Sequence, residues 1–182
     1  CAGAVYAETL SPVADMLLPD YMKLQYAGNV GLFSGGLGYS FFRERVQADL
    51  SYGYVPSDVG GNAIHTFTGR ISAIPFRIRL SGDYTLYPVT ASVFGCYTPG
   101  KNYVTKWKGP YPDGYYAPTA FYSGESIGMR LRTATRGSAV TAVDWYAEVG
   151  TLNQYIDDYR RSDGQLKIKD IINVSFGVVL YR

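Results

Sequence analysis

The sequence predicts an all-β chain: a transmembrane, antiparallel, up-and-down barrel of about eight strands. Three observations carry that expectation. Apolar and polar residues alternate with period two along most of the chain, charges sit in mid-strand on the face opposite the apolar one, and the connections alternate between short and long. Composition agrees. Charged residues make up 18%, below the roughly 25% of an ordinary soluble domain, while Tyr supplies 18 and Gly 21 of 182 positions. There is no apolar run of about 20 residues, which excludes spanning helices. A net charge of +2 is too small for a nucleic-acid footprint.

The strands follow in order. Met22, Leu24, Tyr26, Gly28, Val30 and Leu32 alternate with Lys23, Gln25, Ala27, Asn29 and Gly31. A second strand is expected over 37–42. The third is the clearest, with Val46, Ala48, Leu50, Tyr52 and Tyr54 set against Gln47, Asp49, Ser51 and Gly53. Further strands are expected over 63–74, 84–97, 117–132 and 140–151, and the last carries Ile172, Val174, Phe176, Val178 and Leu180 on one face. In the sixth, Glu125 shares a parity with Phe121, Ile127, Met129 and Leu131, which suggests a bulge near Gly124 or Ser126.

A soluble lipocalin-like barrel turns its apolar set inward, and a membrane barrel turns it outward. The charges favour the second. Asp49, Arg70, Asp144 and Glu148, with Lys23, Arg130 and Glu125 as further candidates, are expected to form a polar network inside, where opposite charges must pair. Phe42, Phe94 and Tyr146 are expected to narrow the lumen further. On the outer face, Tyr87 and Tyr97 enclose Val89, Ala91, Val93 and Gly95. Ten residues at about 3.3 Å, tilted near 40°, give roughly 25 Å of height, the thickness of an apolar band with an aromatic at each rim. Tyr39, Tyr52 and Tyr54 supply similar interface residues.

Short turns are expected at 43–45, 80–83 and 133–138, and connections at 34–36, 56–62, 98–118 and 151–170 at the other end. Short periplasmic turns and long outer loops are the asymmetry of bacterial outer-membrane barrels, and an even strand number puts both termini in the periplasm. The loop 98–118 mixes Lys101, Lys106, Trp107 and Lys108 with several Tyr, a composition suited to lipopolysaccharide phosphates, a glycan or a protein. The glycines of "SGG" at 34–36 and "GGN" at 60–62 read as turn glycines.

The eight-strand layout and the final strand 171–182 resemble small outer-membrane barrels of the outer-membrane-protein-A or -X type. The stretches "LQYAGNVGLFSGGLGYSFF" and "HTFTGRISAIPFRIRL" are similar to barrels of the Bacteroidota. The resemblance covers about residues 21–182. It implies a Gram-negative outer-membrane location and the fold far more than any activity. Residues 1–20 are then a periplasmic tether. Cys1, followed by Ala2, Gly3 and Ala4, has the pattern that lipoprotein processing leaves, making it the candidate lipid-attachment residue; the alternative is an ordinary cysteine at an arbitrary boundary.

The single His65 lies near the outer end of the fourth strand. Lipid A deacylases of similar size use a His, a Ser two residues on and a Glu from a neighbouring strand. Here position 67 is Phe, so His65 and Glu125 are the only catalytic candidates, and a histidine in the interfacial girdle is the competing reading. No metal-ligand cluster and no cofactor motif is expected. The leading functional expectation is a non-enzymatic barrel, a structural or accessory subunit of a larger outer-membrane assembly such as a barrel-insertion machine or a transporter complex. Its partners would be outer-membrane lipids, lipopolysaccharide and other outer-membrane proteins. A lipid A-modifying enzyme and a narrow pore are the alternatives.

Overall fold

A computed structural model describes residues 18–80, 82–101, 103, 119–136, 139–162 and 165–182. Cys1, nearly all of the tether and most of the loop 98–118 lie outside them. The elements run β1 (Tyr21–Ala27), β2 (Phe33–Phe41), β3 (Val46–Val55), α1 (Ser57–Gly60), β4 (Ile64–Ala73), β5 (Ile78–Arg79), β6 (Tyr84–Tyr97), β7 (Phe121–Ala134), β8 (Ala142–Leu152), α2 (Asn153–Arg161), α3 (Ile168–Ile171) and β9 (Asn173–Tyr181). Sequential long strands pair antiparallel, β9 returns to β1, and β4 pairs with β6. The result is a closed, up-and-down, eight-stranded antiparallel barrel, with the two-residue β5 continuing the line of β4. Closure leaves no strand at a free sheet edge, the pairing being interrupted between Ala73 and Ile78 on one side and Leu86 and Ala91 on the other. Tyr21 faces Tyr181, so both ends of the described barrel lie at the short-turn end.

The alternation resolves as an inverted barrel. In β1, Tyr21, Lys23 and Gln25 are buried inside while Met22, Leu24 and Tyr26 are exposed outside. In β4 the buried set is Thr66, Thr68, Arg70 and Ser72, and the exposed set includes Phe67 and Ile71. Leu50 on β3 is 75% exposed and Trp145 on β8 is 60% exposed, whereas Asp144, next to Trp145 in sequence, is completely buried. Among the described residues no helix is long and apolar enough to cross a membrane; strands make the wall.

An eight-stranded barrel has little interior to spare, and glycine makes room for its rings. Three inner aromatics each face a glycine on the adjacent strand: Tyr21 and Gly38, Phe94 and Gly124, Tyr146 and Gly177. A Cβ on Gly38 would overlap the Tyr21 ring. One on Gly124 would lie 2.6 Å from Phe94, and one on Gly177 2.5 Å from Tyr146. Each ring lies over its partner's bare backbone, which makes these glycines part of the packing rather than breaks in the strands.

Several expectations need correction. The first strand stops at Ala27, where φ turns to 61°, followed by Gly28 at 91°. The chain then folds back so that Val30 is buried. Ser34, Gly35 and Gly36 consequently belong to β2, not to a turn. The bulge lies in β6, not in the strand carrying Glu125: Tyr87 faces Arg130 while Thr90 faces Gly128, so one extra residue enters at Pro88–Val89. Proline has no N–H for the ladder, which makes that position a natural place for the slip. Phe42 does not line the lumen; it is 78% exposed in the β2–β3 turn. The stretch read as a long loop after the seventh long strand contains α2, with Tyr155, Ile156 and Tyr159 at helical spacing.

Candidate functional site: the ion-paired interior

The inner face brings together charges from strands that do not touch. Asp49, Arg70, Asp144 and Glu148 are all buried there. Arg70 faces Asp49 directly in the ladder, yet its Nη1 donates to Glu148 Oε1 at 2.6 Å, across the barrel from β4 to β8. Ser175 and Ser126 donate to the same carboxylate at 3.2 and 3.4 Å. The Arg70 guanidinium lies 5.2 Å from the Phe94 ring centroid. Lys23 adds a second cation, its Nζ 4.7 Å from the centroid of the Tyr146 ring.

A lower layer lies toward the short-turn end. Arg132 is bidentate on Asp144, Nε to Oδ1 at 2.6 Å and Nη2 to Oδ2 at 3.1 Å, and its Nη1 reaches Glu44 at 2.6 Å. The Tyr181 hydroxyl donates to Asp144 at 2.9 Å and accepts from Gln47 at 2.9 Å. Gln47 in turn accepts from Arg130 at 2.6 Å, a contact between β3 and β7. Tyr146 donates to Gln25 at 3.1 Å. Charge-assisted contacts that run from wall to wall cross-link the barrel and fill its axis. Lys23 Nζ, Asp49 Oδ1 and Arg130 Nε have no hydrogen-bond partner among the described residues.

Arg132 and Glu44 were not among the residues the sequence singled out. The signal for Arg132 was present: without a bulge in β7, Ser126, Arg130 and Arg132 share the inward parity. Glu125 is correspondingly on the outer face and takes no part in the network. Tyr87 is a second correction. The β6 bulge shifts its parity, so its ring is buried inside beneath Arg132, 5.1 Å from the guanidinium carbon. Tyr84, exposed at the same end, occupies the outer position instead.

Tyr39, Tyr52 and Tyr97 are on the outer face, and Tyr54 is half-buried there. His65 also faces outward. Its Nδ1 lies 2.5 Å from the Tyr52 hydroxyl, with the Tyr54 ring centroid at 5.3 Å. The register separates it from Glu125. Ile71 faces Val93, which faces Glu125, so the carboxyl is level with a residue six positions down β4, roughly 20 Å along the strand. The structure does not bring His65 and Glu125 together. Among the described residues no group of three His, Cys, Asp or Glu is arranged to hold a metal.

Fold and interior together define the class: a small up-and-down β-barrel with an apolar exterior and an ion-paired, polar interior. Comparison with protein-family models, curated proteins and solved structures finds no match for this chain.

Proposed function

We propose that this protein is an integral barrel of a Gram-negative outer membrane whose filled lumen serves structure, and that it acts as a structural or accessory subunit of a larger outer-membrane assembly. One observation carries the reading. The large apolar side chains, including Leu24, Leu37, Leu50, Ile71, Val93, Ile127, Trp145 and Phe176, stand exposed around the outside, while the mid-strand charges other than Glu125 are buried inside. A water-soluble protein rarely exposes so continuous an apolar surface; a bilayer stabilises it at about 25 cal/mol per Å² removed from water. Tyr26, Phe33, Tyr52, Tyr97 and Phe121 at the long-loop end, with Tyr39, Phe41 and Tyr84 at the short-turn end, suit two interfacial girdles. In this reading the short turns and both termini face the periplasm.

The interior argues for a support rather than a passage. The Arg70–Glu148 and Arg130–Gln47 contacts cross the axis, and moving a solute past them means breaking an ion pair and a charge-assisted hydrogen bond in a confined, low-dielectric space. Barrel-insertion machinery and transporter complexes are the assemblies proposed. Co-purification from gently solubilised outer membranes, with planar-bilayer recording on the purified chain, tests the proposal. The expected outcome is a reproducible protein partner and no discrete conductance. A lone monomer, or steady single-channel currents, would overturn it.

A further inference from the structure

The wall of the barrel is open at one place. Between β4 and β6 the ladder runs down to Ala73 facing Ala91, then resumes where Ile78 of β5 faces Leu86. Five residues separate the two points on each strand, so the register is kept while residues 74–77 and 87–90 go unpaired across the gap. Pro75 and Pro88 stand on opposite lips, and neither has an N–H to contribute. Ile74 turns its own N–H away, to the Arg45 carbonyl at 2.8 Å. The bulge of β6 falls at the same place.

Behind this slot is a cavity of about 530 Å³, bounded by the β2–β3 turn on one side and by both lips on the other. Arg43, Arg45 and Arg77 line it, and none of their guanidinium groups has a hydrogen-bond or ion-pair partner among the described residues. Glu44 also lines it, but Arg132 holds its carboxylate at 2.6 Å. At the inner wall is Tyr87, 3% exposed, whose hydroxyl has no partner among the described residues; Arg132, Asp144, Glu44 and Arg77 are the charges that reach it, and Arg132 holds both of those carboxylates. The turn supplying two of the arginines is left-handed at Phe42, Arg43 and Glu44, with φ of 52°, 59° and 66°. Three consecutive non-glycine residues hold a conformation that L-residues avoid. Phe76 and Ile78, which also line the cavity, are exposed, as is Leu80 beyond it.

Free cations, an unpartnered buried hydroxyl and an adjoining apolar wall are complementary to an anionic amphiphile. We propose that the slot binds a phosphate-headed lipid: the arginines and the Tyr87 hydroxyl hold the phosphate, and Phe76, Ile78 and Leu80 take the start of the apolar tail. Phosphate reaches this end of the barrel on a membrane lipid or as a free ester. The anion chemistry rests on the cavity alone, while the lipid source rests on the membrane reading above.

Isothermal titration of the full chain in dodecyl maltoside micelles tests this, with dihexanoyl phosphatidylglycerol, inorganic phosphate and phosphate-free dihexanoylglycerol as probes. Both phosphate probes should bind and the phosphate-free lipid should not. Tighter binding of the phosphatidylglycerol identifies a lipid site, and equal affinity a site for free phosphate. The triple variant R43Q/R45Q/R77Q should weaken binding at least about tenfold, since it removes charge-assisted contacts. Tyr87→Phe, which deletes only an unpartnered hydroxyl, should weaken it severalfold while keeping the heat-modifiable gel mobility of a folded barrel, and it decides the matter if the triple variant does not fold. Equal binding of the phosphate-free lipid, no phosphate binding, or unchanged affinity in Tyr87→Phe would overturn the proposal. A failed membrane reading would leave the inorganic phosphate arm standing, so the two failures are distinguishable.

Discussion

Arg70 on β4 and Glu148 on β8 meet at 2.6 Å inside the barrel, with β6 and β7 between their strands. Both are buried, so neither charge has solvent to fall back on if the other is removed. Breaking such a pair from one side typically costs about 3–5 kcal/mol, whereas replacing both partners with well-fitting apolar residues is often neutral. Arg70→Ala and Glu148→Ala should therefore each lower stability by about 3–5 kcal/mol in urea unfolding of the lipid-reconstituted barrel. Arg70→Met combined with Glu148→Leu should recover most of the loss. Additive losses in that double variant would mean the two residues act independently.

The ring-over-glycine pairs make a second prediction. Gly38→Ala drives a Cβ into the Tyr21 ring, whose atoms are the nearest ones it meets, and the ring is held in place by Tyr181 and Asp49. Overpacking of this kind costs about 1–3 kcal/mol. Gly95→Ala, whose Cβ would meet nothing within 4 Å, serves as the control and should change stability by less than about 0.5 kcal/mol. Equal effects at the two positions in the same unfolding assay would show that backbone conformation, not the ring, sets the need for glycine.

Much of this fold was legible because period two is a local signal. Leu50 and Asp49 sit on opposite faces of β3 for no reason other than adjacency, and the same rule placed Arg70, Asp144 and Glu148 on the inner face. It failed where one residue was inserted: at Pro88 the parity slips, and Tyr87 moves from the outer belt to the lumen. Partner choice was not legible either. Arg70 faces Asp49 in the ladder but bonds Glu148, because strand tilt and side-chain length decide which charges meet across a barrel. The helix Asn153–Arg161 was hidden by its surroundings, since Tyr155, Ile156 and Tyr159 are a short helical stripe within a polar stretch. The slot near Pro75 and Pro88 required the closing β4–β6 pairing, a long-range fact that no single strand announces.

The exterior yields a third prediction, which depends on depth. Leu50 lies mid-strand and is 75% exposed, so in a bilayer Leu50→Arg should destabilise the barrel by about 2–4 kcal/mol. Tyr54→Arg, near the long-loop rim, should cost only about 0–1 kcal/mol. Folding titrations in lipid vesicles measure both. In a water-facing wall the two changes would be alike and small.

Trp145 gives the most direct test of the account, because it lies on the outer wall of β8 beside the completely buried Asp144. Trp107→Phe leaves Trp145 as the sole indole of the two in the chain. The variant is folded into phosphatidylcholine vesicles whose acyl chains carry bromine, and its fluorescence is compared with that in unbrominated vesicles. If the apolar exterior faces lipid, Trp145 emits at short wavelength and is strongly quenched by the brominated chains. Unquenched emission at the wavelength of a water-exposed indole, from a barrel that stays folded and monodisperse without detergent, would contradict the central claim.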